Sequence, residues 1–534
     1  MAFRKFKFVE DFIDPSTGQP YENTGSPKTV KTKYFGPKEL HQIAKIVYVP
    51  RTTKVPTVTI DKEGKAVKGQ DEVRVTYDEK MGEKGGWIEK MDNLAQGGEC
   101  WVEGEAVVCE EAFVSGDALI SDIAEIGGHA KVCDKAKVFE EGSAKDAAYI
   151  YGEAKVHGTQ RIRWNYNNKK NPELDVMTAV MGLARVEGEI DERGMAMEHA
   201  YVGQRGFVGG NPGSTASGYS LIYGTLDEES YAGDNAVVYG TVTNRSSAKG
   251  ASFVNEEGYV HKVARAEGAS VVDGEIFDHS GVSGLSHITK SGKVTDKSSA
   301  GGNSKVSGKV TSESSVRDNV EVFKKGSLVR ESSMRGNSTL KDKGVLTKSN
   351  MKGNGCSAGA LNKSSIGTNG SLNEGGSLSK STMGGNSMLA KSGTDSSLVG
   401  GEVVLASVNK SNVSGGSLVL EDGSLSNSTV DAGAVVGGSV TQGKVHGNAV
   451  IAKGGSLSNG QMEDNSRTAA AVSGAAMDGN SVAAVSFSSS ASGNGVARYR
   501  TEAVAYNEVC IEKPEGPGAR EPSGAAVLCK VEPG

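Results

Sequence analysis

From Cys100 to Val156 the chain repeats every six residues. One strip reads Cys100, Ala106, Ala112, Ala118, Ala124, Ala130, Ala136, Gly142, Ala148 and Ala154. A second strip, two residues on, reads Val102, Val108, Val114, Ile120, Ile126, Val132, Val138, Ala144, Ile150 and Val156. Residues two apart on a strand point the same way, so a small and a larger apolar side chain enter one interior at almost every step. Gly or an acidic residue often stands two before the small one (Gly104, Asp122, Gly128, Asp134, Gly152), where the chain must bend. Six-residue sides with two inward positions predict a triangular β-solenoid with coils of about eighteen residues.

Composition agrees. Seventy-three Gly among 534 residues and only 6% aromatic residues suit a narrow interior with tight corners better than an ordinary globular enzyme. The net charge is −6 with Lys and Arg scattered, so no nucleic-acid footprint stands out. The opening residues lack the pattern of a secretory signal, and no apolar run is long enough to span a membrane, so no membrane insertion is expected. Six cysteines in this length do not make a disulfide scaffold. Cys510 and Cys529, in short apolar runs around a Pro/Gly-rich turn, are the one pair placed to bridge a terminal hairpin.

Residues 1–95 do not repeat and read as a small α+β or mostly β head that attaches the chain and caps its first coil. A short helix is expected over 37–45, and Pro56–Asp61 with Glu72–Tyr77 reads as a hairpin. The regular array fills 96–158, and residues 159–240 continue it with inserted loops at 159–181 and 206–218. From 241 to 499 the coils shorten to about sixteen residues. Apolar anchors there (Met334, Met351, Ile366, Met383, Leu398, Val413, Val430, Val445, Met462, Met477) lie alternately about seventeen and fifteen apart. A second strip precedes them by five (Leu346, Leu361, Leu378, Val408, Leu425, Val440, Leu457, Val472), with Gly393 breaking it. A third follows (Leu340, Cys356, Leu372, Met388, Val403, Leu418, Val435, Val450, Val482), with Arg467 breaking it. Residues 500–534 read as a C-terminal β cap. The expected fold is thus all-β: a long single-chain triangular parallel β-helix with a head and a cap.

Over 85–158 the chain resembles the hexapeptide-type, left-handed-like β-helix proteins of phages and gut bacteria, whose arrays read Gly-Asn-Ala-x-Val-x. It departs from them in using Glu, Asp and Lys where Asn is usual. The resemblance implies architecture and little chemistry.

Few residues converge for catalysis. Gly355-Cys-Ser-Ala-Gly359 has the spelling of a nucleophile elbow but falls inside a coil rather than at a strand-turn-helix junction. His129 and His157, the candidates for the general base of a hexapeptide acyltransferase, occupy outward positions and read as solvated surface. No cofactor and no metal site is expected. The best contact candidates are Arg161, Arg163, Trp164, Tyr166, Lys169 and Lys170, a basic aromatic loop able to stack on a sugar or dock on a protein.

The functional expectation is a non-enzymatic structural protein, a phage fibre, spike or decoration whose head binds other virion proteins and which sits in the virion, or otherwise in the cytoplasm. Homo-oligomerisation as a trimer and contact with a cell-surface glycan are compatible with it. A bacterial filament or scaffold is the first alternative, and a polysaccharide-binding or -cleaving tailspike the second.

Overall fold

The computed structural model describes residues 4–488, with gaps at 15–16, 21–26, 56–57, 61–65, 69–71, 159–160, 164–177, 192, 211 and at many corners beyond 329; for 51–78 and most of 346–488 it describes the backbone alone. The chain is an all-β solenoid that divides into two units, Met1–Lys262 and Val263–Gly534.

In the first unit, β1 (Phe6–Phe8) and β2 (Lys28–Thr32) both pair antiparallel with the long β3 (Gly36–Val55). The short β4 (Val58–Ile60) and β5 (Ala66–Lys68) pair with each other, and β6 (Glu72–Ile88) returns along β3. The helix expected over 37–45 is therefore strand. Leu40, Ile43 and Ala44 are all buried, a spacing that imitates a helix face. Register shifts between Gln42 and Ile46 bulge the strand and let two successive side chains turn inward. The hairpin expected between 56–61 and 72–77 is also redrawn, because the 72–77 segment pairs with Pro50–Val55 of β3 instead, Thr52 opposite Val75 and Val55 opposite Glu72.

The solenoid proper starts where the end of β6, Trp87–Ile88, pairs in parallel with β8 (Val107–Val108), after β7 (Trp101–Val102). Each strand then pairs with one eighteen residues on, as Leu119 with Lys137 and Lys137 with Lys155, and three parallel sheets form the three walls. We name the walls after their first strands: the β7 wall, the β8 wall and the wall of β9 (Phe113–Val114). Both predicted strips line the interior, with every Ala, Val and Ile of them at 2% exposure or less. The corners explain the alternation of Gly with acidic residues. Asp122 and Asp134 hold φ near +60°, as Gly104 and Gly116 do, a conformation that costs a non-glycine residue about 1 kcal/mol or more. The offset is a bond to the next coil: the amide of Glu140 donates to Asp122 Oδ2 at 2.9 Å, and that of Gly152 to Asp134 Oδ2 at 3.0 Å. A glycine cannot make that latch.

Two loops expected in the sequence are smaller than predicted. Arg161–Arg163 is a strand paired with Ser143–Lys145, and its Ile162 is fully buried. Phe207–Val208 and Thr215–Ala216 are ordinary strands of the β8 and β9 walls, so the interruption at 206–218 shrinks to the corner between them. Coils also shorten earlier than expected. Val237 pairs with Phe253 sixteen residues on, because the corner leaving the β7 wall has lost two residues: Val238-Tyr-Gly-Thr241 turns in two, where Val102-Glu-Gly-Glu-Ala-Val107 turns in four.

The second unit keeps three walls. Successive coils alternate sixteen and eighteen residues, as in Val271–His287–Lys305–Glu321–Thr339, then fifteen and seventeen beyond. The anchors pair as predicted, Met334 with Met351 and Met351 with Ile366, and so do Leu346 with Leu361 and Leu361 with Leu378. The third strip needs correction by one residue at several coils. Leu340 pairs with Ser357, then Leu372, Leu389 and Val404, so the register that continues Leu340 runs one residue after Cys356, Met388 and Val403. A one-residue slip exchanges the faces of a strand, and pairs such as Met388-Leu389 and Val403-Val404 conceal it because both members are apolar. Arg467 then ceases to be an exception, since it pairs with outward Val450 while Thr468 pairs with Ile451, which is fully buried.

Serine replaces alanine in the inner small strip of many coils, in two distinct ways. In the second unit Ser298 Oγ accepts the amide of Ser314 at 3.1 Å, and Ser280 Oγ that of Ser298. In the first unit the fully buried Ser252 Oγ has no hydrogen-bond partner among the described residues. Ser252→Ala is expected to raise stability by about 1 kcal/mol, by removing an unmet hydroxyl, while Ser298→Ala lowers it by a similar amount, by stranding an amide. Urea midpoints of the two variants check the opposite signs.

Candidate interaction surfaces

Residues 4–46 do not form a separate globule; they spread over the first coils. Lys5 and Phe6 amides donate to Gln96 Oε1, and Phe6 packs edge-on to Trp101. The turn between β2 and β3 lies on the β8 wall, where the amides of Lys33 and Tyr34 donate to the Glu125 carboxylate at 2.6 and 3.0 Å. Leu40 and Trp87 form a buried cluster with Val107 and Cys109 of the first coil, and Val30 and Phe35 pack against it. Lys28 holds its ammonium 3.4 Å from the centre of the Trp87 ring. Burial pushes the Cys109 thiol up to about 12, with the Glu110 and Glu89 carboxylates adding to the shift.

Beyond this dock, Ile46–Val55 and Glu72–Met81 run as a two-stranded antiparallel ribbon in unbroken register. The Ile46 amide still donates to the Lys5 carbonyl at 3.0 Å, and beyond it no other strand among the described residues pairs with either outer edge. A lone two-stranded ribbon is marginally stable in water and offers unpaired backbone groups to a partner strand.

A second surface lies on the β7 wall. His157, expected to be solvated, is buried: its ring stacks on Phe139 at 4.7 Å and lies between the carboxylates of Glu140 and Glu187. Arg185 Nε donates to His157 Nε2 at 2.8 Å while its Nη2 reaches Glu187 at 2.8 Å, and the guanidinium leans over the Tyr201 ring. The Nε2 edge of the ring is thus engaged by Arg185 and not open to solvent. Burial, then the bond to Glu187, pushes the Tyr201 hydroxyl up to about 12. His129 is exposed. From Tyr201 the rings continue coil by coil: Tyr223 edge-on at 5.7 Å, Tyr239 stacked on Tyr223 at 4.7 Å, and Phe253 at 5.6 Å. This row was missed in the sequence, because its members are spaced irregularly and come from both strands and corners.

In the second unit, one corner column doubles the left-handed residues: Asp278–His279, Asp296–Lys297 and Ser312–Glu313 all have φ between 53° and 62°. Bonds from the Lys297 amide to the Asp278 carbonyl and from Glu313 to Asp296, both 2.8 Å, hold the strained corners together. They line an open groove of about 440 Å³ with Asp278, Asp296, Glu313 and Glu331 on successive coils.

Of the predicted contact residues, Arg161 and Arg163 belong to a strand of the β8 wall, and Trp164, Tyr166, Lys169 and Lys170 lie outside the described residues, as do Cys510, Cys529 and the expected cap over 500–534. Ser357 of the elbow-like motif sits on a strand that pairs on both sides, with no helix following among the described residues. Among the described residues no group of three His, Cys, Asp or Glu is arranged to hold a metal, and no helix is long and apolar enough to cross a membrane. No protein-family model and no curated protein matches the chain.

Proposed function

We propose that the chain is a non-enzymatic structural protein, a shaft component of a phage virion such as a fibre, spike or decoration, held by its N-terminal segment. One observation supports the reading: beyond Ile46 the two strands Val47–Val55 and Glu72–Lys80 pair with each other and, among the described residues, with no other strand, which suits strand addition by a partner. The latches between coils support it, since they stiffen a repeat whose only neighbours are other coils. The carboxylate-lined corner of the second unit favours the second reading, a polysaccharide-cleaving tailspike, because it brings acidic residues of successive coils together.

Microscopy of purified particles carrying a C-terminally tagged chain decides between them. The first reading expects particle-bound tag, with binding lost on deleting residues 47–80. A chain found only in the particle-free fraction overturns it, and release of reducing ends from capsular polysaccharide by the purified protein supports the second reading instead.

A further inference from the structure

The β7 wall of the first unit changes character along its length. After Trp101 and Leu119 its outward positions are basic: Lys137, Lys155 and Arg185, paired coil to coil. From His199 to Asn255 the outward strand positions of this wall carry no Lys, Arg, Asp or Glu, and charges such as exposed Arg205, Asp234 and Lys249 are confined to its corners. The central column there is Tyr201, Leu221, Val237 and Phe253. Tyr223 and Tyr239 flank it at one corner, and His199 and Tyr219, stacked at 4.5 Å, flank it at the other. The Glu187 carboxylate bonds the Tyr201 hydroxyl and is paired with Arg185, and Glu198 and Asp234 are turned into corner latches with the amides of Gly218 and Gly250. Tyr219 is 62% exposed and Tyr239 39%. Tyrosine-rich, charge-depleted composition is the signature of a protein interface core.

We propose that this wall packs against a second copy of the chain, side by side. A charge-free wall meets its own copy with no like-charge penalty, and the basic column at Lys137–Arg185 marks where such contact ends. The match extends to spacing: ridges of rings one coil apart, about 4.8 Å, fit between the ridges of a surface with the same repeat, which another copy supplies by construction. Tyr223 and Tyr239 already stack on each other at 4.7 Å, which leaves no slot between them for a nucleobase. Four coils and a six-residue side of at most ~20 Å give roughly 400 Å² of wall per copy. That is the small end of specific interfaces, so the pair is weak and concentration-dependent.

Sedimentation velocity of the full-length protein across the micromolar range tests the proposal. Wild type is expected to shift from monomer to dimer, and Tyr219→Lys and Tyr239→Lys each to weaken association at least tenfold, with circular dichroism unchanged. Tyr259→Lys, at a position 37% exposed on another wall, is expected to leave it intact. If Tyr239→Lys misfolds, Tyr219→Lys alone decides, since its ring is largely in solvent. A wild type that stays monomeric, or a dimer that survives both substitutions, overturns the inference. So does a monomer that binds dextran sulfate through the same two tyrosines, which would make the wall a glycan surface.

Discussion

Gly308→Ala is expected to destabilise the second unit by about 3 kcal/mol, while Gly281→Ala in the same unit is neutral or slightly stabilising. Gly308 closes a two-residue corner, Val306-Ser-Gly-Lys309, and a Cβ there would stand 2.1 Å from the carbonyl oxygen of Gly326 and 2.3 Å from that of Phe323. Both oxygens belong to the backbone of the next coil and cannot move aside as a side-chain tip would. The Lys309 amide donates to the Gly326 carbonyl at 2.9 Å, so displacing that oxygen also weakens the ladder between coils. A Cβ at Gly281, in contrast, meets nothing within 4 Å, and its φ is not in the left-handed region. Urea midpoints measure the difference, and hydrogen exchange is expected to show the loss concentrated in the coils around 308–326, because each coil depends on its neighbours alone. Equal midpoints for the two variants would sink this account of the corner.

The interior of the solenoid was legible because two inward positions per side obey a strict period, and burial tolerates few residue types there. Legibility failed where the period was local or ambiguous. In the third strip, Met388-Leu389 offers two apolar neighbours, and only pairing decides which one faces inward. Over 37–45 a bulge made strand burial imitate a helix. The loops read at 159–181 and 206–218 were partly coils whose corners had changed length, which shifts the register without disturbing the walls.

The outward surfaces were hidden for a related reason. Tyr201, Tyr223, Tyr239 and Phe253 form one row only after coils of different length are superposed, and two of the four sit on two-residue corners. Nothing in local sequence places Tyr223 beside Tyr201. The same holds for His157, whose burial depends on Arg185 and Glu187 arriving from the next coil, across residues 164–177. The ribbon was half visible, since Glu72–Tyr77 alternates, but its partner was read at 56–61 and lies at 50–55, because pairing between distant segments is set by the whole sheet and not by the nearest turn.

Trp87→Ala is expected to undock the N-terminal segment and to raise the rate of thiol labelling at Cys109 by about a hundredfold or more. Trp87 is 5% exposed and packs with Leu40, Val107 and Cys109, and truncating a buried Trp costs about 3–5 kcal/mol. Each 1.4 kcal/mol is about tenfold in the population of the open form, which is what the reagent samples. Cys133, half-exposed on another coil, serves as the internal reference and is expected to keep its rate. The docked state also carries a pH signature. Because burial holds the Cys109 thiol near 12, the docked state keeps a proton that the undocked thiol would release in its ordinary range. The stabilisation is therefore complete below that range and is lost as pH rises through it towards 12. Wild type should undock more readily at pH 10 than at pH 7, and Cys109→Ala should remove that part of the dependence while leaving the contribution of Lys38 and other groups. If Cys109 labels as fast as Cys133 in the wild type, the segment is not docked on the first coil, and an anchor held there by β6 loses its physical basis.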